Sequence, residues 1–352
     1  MVNVKKNERI EYFDLMKGVC IVLVIIGHCF DYCSIVISNV HVWSMLEHLR
    51  MPLYFFLAGM FFKEYTGFLD FVIRKTNKLV IPFLFFCLIS VIPLLISGVV
   101  GFNLSSIVGH FLWMVKYGGY LWFLRTLFCA NIMFYIYYKF THQKGIYLQI
   151  LLLLLVVTIG WFCNALIPIE NEFRINHPYV VSLLSAVIVL PFFYVASKLN
   201  RILPVLKRVS KIYILLIGIL SCLLCYLTSN GGVYLMNGLV DNNIFLFYIS
   251  SLSAITCCWS LCYMIKRMPY LSYIGRYSII AYLTHYPLIK AACNMYPCIN
   301  VYMLVVLVLL IMPLMIWFFK KYFPAFVAQK DIFIYENRRL KIDWTVFSLK
   351  KK

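Results

Sequence analysis

Runs of about twenty apolar residues, each the length a helix needs to cross a bilayer, recur through almost the whole chain. They fall at roughly 13–35, 43–62, 79–100, 119–139, 146–163, 178–197, 211–229, 243–265, 273–294 and 299–319. Hydrophobic residues make up 63% of the chain and charged ones 13%, a balance that a soluble core could not hide from water. Lipid must cover the surplus. The fold class expected is therefore an all-α, polytopic transmembrane helix bundle of about ten spans. It comprises one membrane domain over 1–320 and a basic cytoplasmic tail over 321–352.

The net charge of +19 would suggest a nucleic-acid partner in a soluble protein. Its distribution reads instead as topology, and no nucleic acid is expected. Lys5, Lys6 and Arg9 precede the first run, and later basic clusters fall in every second connection, at Lys63/Arg74/Lys75/Lys78, Lys139/Lys144, Lys198/Arg201/Lys207/Arg208/Lys211, Lys266/Arg267 and Lys320/Lys321. The alternate connections hold Asp31, Glu170, Glu172 and Asp241, with little base beyond Lys116 and Arg174. By the positive-inside rule both termini are cytoplasmic, which an even number of spans satisfies. Asp14 and Lys17 interrupt the stretch that would be apolar in a signal peptide and no small-residue cleavage site follows, so the first run reads as a retained helix. The tail from Lys330 mixes Phe333, Tyr335, Trp344 and Phe347 with base; it suits either the cytoplasmic membrane surface or plain disorder.

The thirteen cysteines are scattered through apolar runs, where a thiol behaves as a small hydrophobe, and no metal spacing appears. Cys293 and Cys298 sit near an outer loop where an oxidising compartment would allow pairing, although a helix end followed by a turn often holds such sulfurs apart.

Ionisable side chains within the runs are expensive in a membrane and normally face a cavity or a partner. In the first run Lys17 and His28 are eleven residues apart, which returns them to nearly the same helix face about 16 Å apart along the axis, and Asp14 lies close to that face. The bland reading has His28 donating to a neighbouring carbonyl and Lys17 reaching to the headgroups. In the second run Arg50 needs an acceptor, either Glu47 or Asp31 or an anionic or polyhydroxyl substrate. Arg74, Lys75 and Lys78 form a cytoplasmic cluster before Pro82. Such a cluster is commonly only topogenic, but it also supplies the charge-assisted donors that a nucleotide-bearing cofactor's phosphates would need. Arg125 lies several residues inside its run, and His285 is a second deep histidine.

Taken in order, these segments resemble the acyltransferase 3 family of bacterial integral-membrane acyltransferases, which includes O-antigen, capsule and fucose 4-O-acetylase-like proteins. The resemblance rests on Asp14 and Lys17 followed after ten residues by His28, on Met51-Pro52-Leu53 leading to Phe55-Phe56-Leu57-Ala58-Gly59, on the basic run ending in Pro82, on Trp122-Phe123-Leu124, and on the segment from Gly275 to His285. It departs from the family pattern at Ala58-Gly59, where many relatives have Ser-Gly, and at Leu49-Arg50, where many have Phe-His. The resemblance implies transfer of an acyl group, most often acetyl, from cytoplasmic acyl-CoA to a hydroxyl of a surface glycan or its lipid-linked precursor, in the bacterial inner membrane, with no metal. It implies a catalytic set of His28, Lys17 and Asp14, donor binding by Arg74, Lys75, Lys78, Arg125 and Arg276, and acceptor binding by Arg50, Trp122, Tyr282 and His285. A transporter or flippase for a lipid-linked glycan or small solute would also carry about ten spans and buried polar residues. It differs in being indifferent to acyl-CoA. A scaffold subunit would leave Lys17, His28 and Arg125 without a purpose.

Overall fold

A computed structural model describes residues 10–347 apart from 35–39, 93–94, 96–100, 168–171, 207, 241–242 and 337–338. Lys5, Lys6, Arg9, Glu170, Lys207 and Asp241, together with residues 93–94 and 96–100 of the run at 79–100, lie outside the described residues.

The elements are almost all helical. In chain order they are α1 (Glu11–Tyr32), α2 (Val40–Met60), α3 (Phe68–Lys75), a π-helical turn (Thr76–Val80) leading into α4 (Ile81–Ile89), α5 (Leu104–Tyr117) and α6 (Trp122–Thr141). After these come α7 (Ile146–Ala165), the short α8 (Glu172–Asn176), α9 (Pro178–Leu206) and α10 (Lys211–Thr228). A small hairpin, β1 (Val233–Tyr234) and β2 (Leu239–Val240), leads to α11 (Ile244–Ile265), α12 (Pro269–Arg276), α13 (Ser278–Met295) and α14 (Val301–Tyr322). The chain closes with β3 (Phe333–Glu336) and β4 (Arg339–Ile342).

Among the described residues seven helices are long and apolar enough to cross a membrane, with Leu104–Thr141 taken as one. The chain is a polytopic all-α membrane bundle. The three remaining runs of the sequence coincide with α2, α4 and α13. Glu47, His48 and Arg50 lower the apolarity of α2, and His285 and Lys290 lower that of α13; Glu47, His48 and His285 are buried, while half-buried Arg50 and Lys290 line cavities. Peripheral α7 and α10 show the opposite character, turning Leu151, Leu154, Ile217 and Leu220 outward.

The connections alternate between the two ends of the bundle. At the end where α1 begins, Arg267 meets Glu11 at 3.5 Å, Lys139 pairs with Glu64, Lys78 with Asp331 at 2.9 Å, and Lys320 donates to the Tyr277 hydroxyl at 2.8 Å. This is the basic end.

α1 is central, and Leu15, Met16, Cys20, Ile21 and Ile25 on it are fully buried. Its first turns are crossed by α12, and the two backbones touch through glycines: a Cβ on Gly18 would overlap the Leu271 carbonyl, and one on Gly275 would overlap that of Asp14. Small residues at such crossings let van der Waals packing replace the hydrophobic drive that lipid removes.

Two features depart from the sequence reading. The run at 273–294 breaks at Tyr277, so that α12 lies on α1 and only α13 climbs through the bundle. Residues 104–117, read as part of a connection, form α5, capped where Asn103 Oδ1 accepts the Ser106 N–H at 2.8 Å and ended by Gly118 at φ 76°. That left-handed turn favours glycine.

At the end opposite the basic one, the β1–β2 hairpin is held by buried Arg174. Its guanidinium donates to the Asn237 carbonyl at 2.7 Å, the Ile167 carbonyl at 2.6 Å and both oxygens of Asn164 at 2.9 and 2.8 Å. Arg174→Ala would leave four acceptors unmatched, at roughly 1–3 kcal/mol or more, and is expected to lower the melting temperature in detergent while Arg174→Lys recovers part of the loss.

Residues beyond α14 fold back at the basic end. Fully buried Asn77, in the π-helical turn, donates to the Phe333 carbonyl at 2.7 Å and accepts from the Ile332 and Phe333 N–H groups at 3.0 and 2.9 Å. The tail is thus a docked hairpin. The thirteen cysteines are free, Cys293 and Cys298 included.

Candidate active site

The polar residues of α1, α2, α6 and α13 converge at the end of the bundle opposite the basic one. Two adjoining cavities of about 550 and 450 Å3 meet there, sharing His28, Asp31, Tyr120, Trp122 and Met236 in their walls. The larger continues to His110, Tyr286 and Lys290, the smaller to Trp43, Glu47, Arg50, Tyr282 and the hairpin residues from Gly231 to Asn237.

His28 is half-buried at their junction. Its ring stacks on that of His285, with centroids 5.3 Å apart, and meets the edge of Tyr286 at 5.6 Å. Its Nδ1 lies 3.7 Å from an Asp31 carboxylate oxygen, which favours a proton on Nδ1 and leaves Nε2 as the basic nitrogen. His285 is fully buried. Its Nδ1 is 2.6 Å from the Tyr282 carbonyl, an acceptor only, so the proton belongs on Nδ1. His285 Nε2 is then a bare acceptor, and among the described residues it has no hydrogen-bond partner.

Arg50 reaches this junction across α1. A side chain at Gly27 would overlap the guanidinium, so the glycine is what lets the cation through. The guanidinium pairs with Glu47 at 2.9 Å and lies over the Trp43 ring at 5.2 Å, while Glu47 also accepts the Val233 N–H at 3.2 Å. Of the acceptors expected for Arg50, Glu47 is the one observed. Tyr282 donates to the Tyr120 carbonyl at 2.5 Å and packs against Phe123, tying α13 to the start of α6.

Lys17 and Asp14 do not join His28 in these cavities. They lie at the basic end of the same helix, Asp14 buried beneath Gly275 and Lys17 over the Phe61 ring at 5.1 Å. Arg276 follows Gly275 and is exposed there. Arg74 pairs with Asp70 at 2.7 Å, and Lys78 donates to the Ala328 carbonyl at 2.8 Å besides pairing with Asp331. Lys75 lies over Phe71, and burial lowers its ammonium to about 8. Arg125 is separate from this cluster. It binds Ser182 at 2.7 Å and the Lys116 carbonyl at 2.8 Å, beneath the Gly118 turn, and so fastens α5 and α9 to α6.

The arrangement holds two histidines and aromatic walls in a cleft at one end and a cationic surface at the other, joined by one helix. A family model described as an acyltransferase domain, that of acyltransferase 3, matches residues 10–320. The chain belongs to this family. No curated protein and no solved structure matches it. This acyltransferase is a multi-pass membrane enzyme that acts on an acyl donor and an acceptor. Several groups of its cavity were not singled out from the sequence, Lys290 among them. Tyr120 and Tyr286, stacked at 5.1 Å, look in sequence like ordinary belt aromatics, and His110 sits on α5, within what read as a connection. The Asn103 cap was the signal for that helix.

Proposed function

We propose that this acyltransferase moves acetyl from cytoplasmic acetyl-CoA to a hydroxyl of a surface glycan or its lipid-linked precursor, in the bacterial inner membrane, within a catalytic domain spanning 1–320. The observation that carries the reading is His28 at the junction of two cavities, set between Asp31 and the fully buried His285. In the reaction His28 Nε2 takes the proton of the acceptor hydroxyl as its oxygen attacks the thioester carbonyl. The new C–O bond forms, the C–S bond breaks, and the proton leaves with the CoA sulfur. Arg50 lines the same cavity as His28 and suits the oxyanion that develops on the thioester carbonyl. Trp122 and Tyr282 line the acceptor's cavity, where flat apolar faces match the C–H face of a sugar.

The donor's phosphates bind at the basic end among Lys17, Arg74, Lys75, Lys78 and Arg276, with the pantetheine arm running along α1 toward His28. Arg74 and Lys78 already hold carboxylates, so phosphate must compete with Asp70 and Asp331 for them. Arg125, engaged by carbonyls at the far end, stays outside this set.

Label carried from radioactive acetyl-CoA to glycan in membranes holding the protein, and absent without it, is the expected result. Movement of lipid-linked glycan with no dependence on acyl-CoA would instead identify a flippase. A pH dependence also follows. Lys75 is charged below about 8 and neutral above it, so the KM for acetyl-CoA should be flat near pH 7 and rise several-fold by pH 9. Lys75→Arg, whose guanidinium keeps its charge over this range, should abolish that rise.

A further inference from the structure

The larger cavity holds a cation that the reaction above does not use. Lys290 is on α13, one turn beyond Tyr286, and a helical turn advances ~5.4 Å. Tyr286 touches the His28 ring, and Lys290, Tyr286 and His28 line the same cavity. Among the described residues Lys290 has no hydrogen-bond or ion-pair partner, its nearest charged neighbourhood being His110. His110 is fixed by Ser90, 2.9 Å from Nε2, and its ring lies parallel to that of Trp113. In the same cavity wall is Tyr120, whose hydroxyl is buried and, among the described residues, has no hydrogen-bond partner. The acid in this cavity, Asp31, is at His28.

A half-buried ammonium without a carboxylate and a buried phenol without an acceptor are both donors in search of oxygen. Resting on the acetyl-transfer reading, we propose that Lys290 and the Tyr120 hydroxyl, in the cavity wall that also holds His110, form a subsite for an anionic group of the acceptor, carried either as a carboxylate on the sugar or as the diphosphate joining it to a lipid. The subsite selects acidic acceptors and sets the distance from the anion to the hydroxyl presented to His28. Asp31, beside His28 in the same cavity, discourages the anion from binding next to the base, which gives the acceptor one orientation.

The test is calorimetric binding to the purified full-length protein, using methyl glucuronide, methyl glucoside and polyprenyl diphosphoglucose as probes. An anionic ligand should bind about tenfold more tightly than the glucoside, the worth of one charge-assisted hydrogen bond. Lys290→Ala should remove the preference at an unchanged melting temperature, and Lys290→Arg should restore most of it. Preference for the glucuronide identifies a sugar carboxylate as the anion, and preference confined to the lipid identifies the diphosphate. No preference for either anion, or one that survives in Lys290→Ala, overturns the subsite. Acetyl transfer measured on the same preparations separates the two readings. Anion selectivity without transfer to any acceptor defeats the acetyltransferase reading alone, while transfer without a Lys290-dependent preference defeats the subsite alone.

Discussion

His28→Ala is expected to lower acetyl transfer about 10²–10⁴-fold, the usual worth of a positioned general base, while the protein inserts and folds as before. Folding survives because His28 is half-buried at a cavity, so truncation enlarges an existing space and leaves no buried donor stranded. The loss should appear in kcat, with little change in acceptor KM, since proton transfer is an interaction of the transition state. His28→Gln, which keeps a similar volume but cannot take a proton, should be as inactive as the alanine variant. Transfer within a few-fold of wild type in either variant would remove His28 from the chemistry.

Gly275→Ala is expected to have the largest effect on assembly. The added methyl would fall on the Asp14 carbonyl and close to the Gly18 nitrogen. These are main-chain atoms of a central helix and cannot rotate away as a side-chain tip would. The helices must separate, loosening the contacts of Asp14, Gly18 and Leu271, at a cost of roughly 1–3 kcal/mol or more. The observable is loss of the monodisperse, thermally stable fraction after detergent extraction. Gly109→Ala is the control, because no atom lies within 4 Å of a Cβ there and alanine in a helix gains up to about 1 kcal/mol over glycine. Equal stability of the two variants would show that α12 does not pack on α1 as described.

How much was legible beforehand differs by element. The helical membrane bundle could be read because lipid imposes a length and an apolarity on each span, and those are properties of contiguous sequence. α7, α10 and α14 show this most simply. The break at Tyr277 was hidden because the run at 273–294 reads as one span, although α12 and α13 pack in different places. The docked tail was equally hidden, since its anchor is Asn77, some 255 residues away along the chain.

For the site, the sequence determined which helices carry ionisable groups and that Lys17 and His28 share a face of one helix, because helical periodicity relates residues a few turns apart. It also left Arg50 with Glu47, one turn away on its own helix, Asp31 on the neighbouring run, or an anionic or polyhydroxyl substrate as its acceptor. Only the tertiary structure decided that His28 stacks on His285, that Arg125 is held by carbonyls rather than facing the basic end, and that Lys290, His110 and Tyr120 surround one cavity. The physical reason is that a spacing in sequence sets direction only within its own helix. Which faces of separate helices meet depends on packing across the bundle, where a missing side chain at Gly27, Gly18 or Gly275 sets how closely the helices approach.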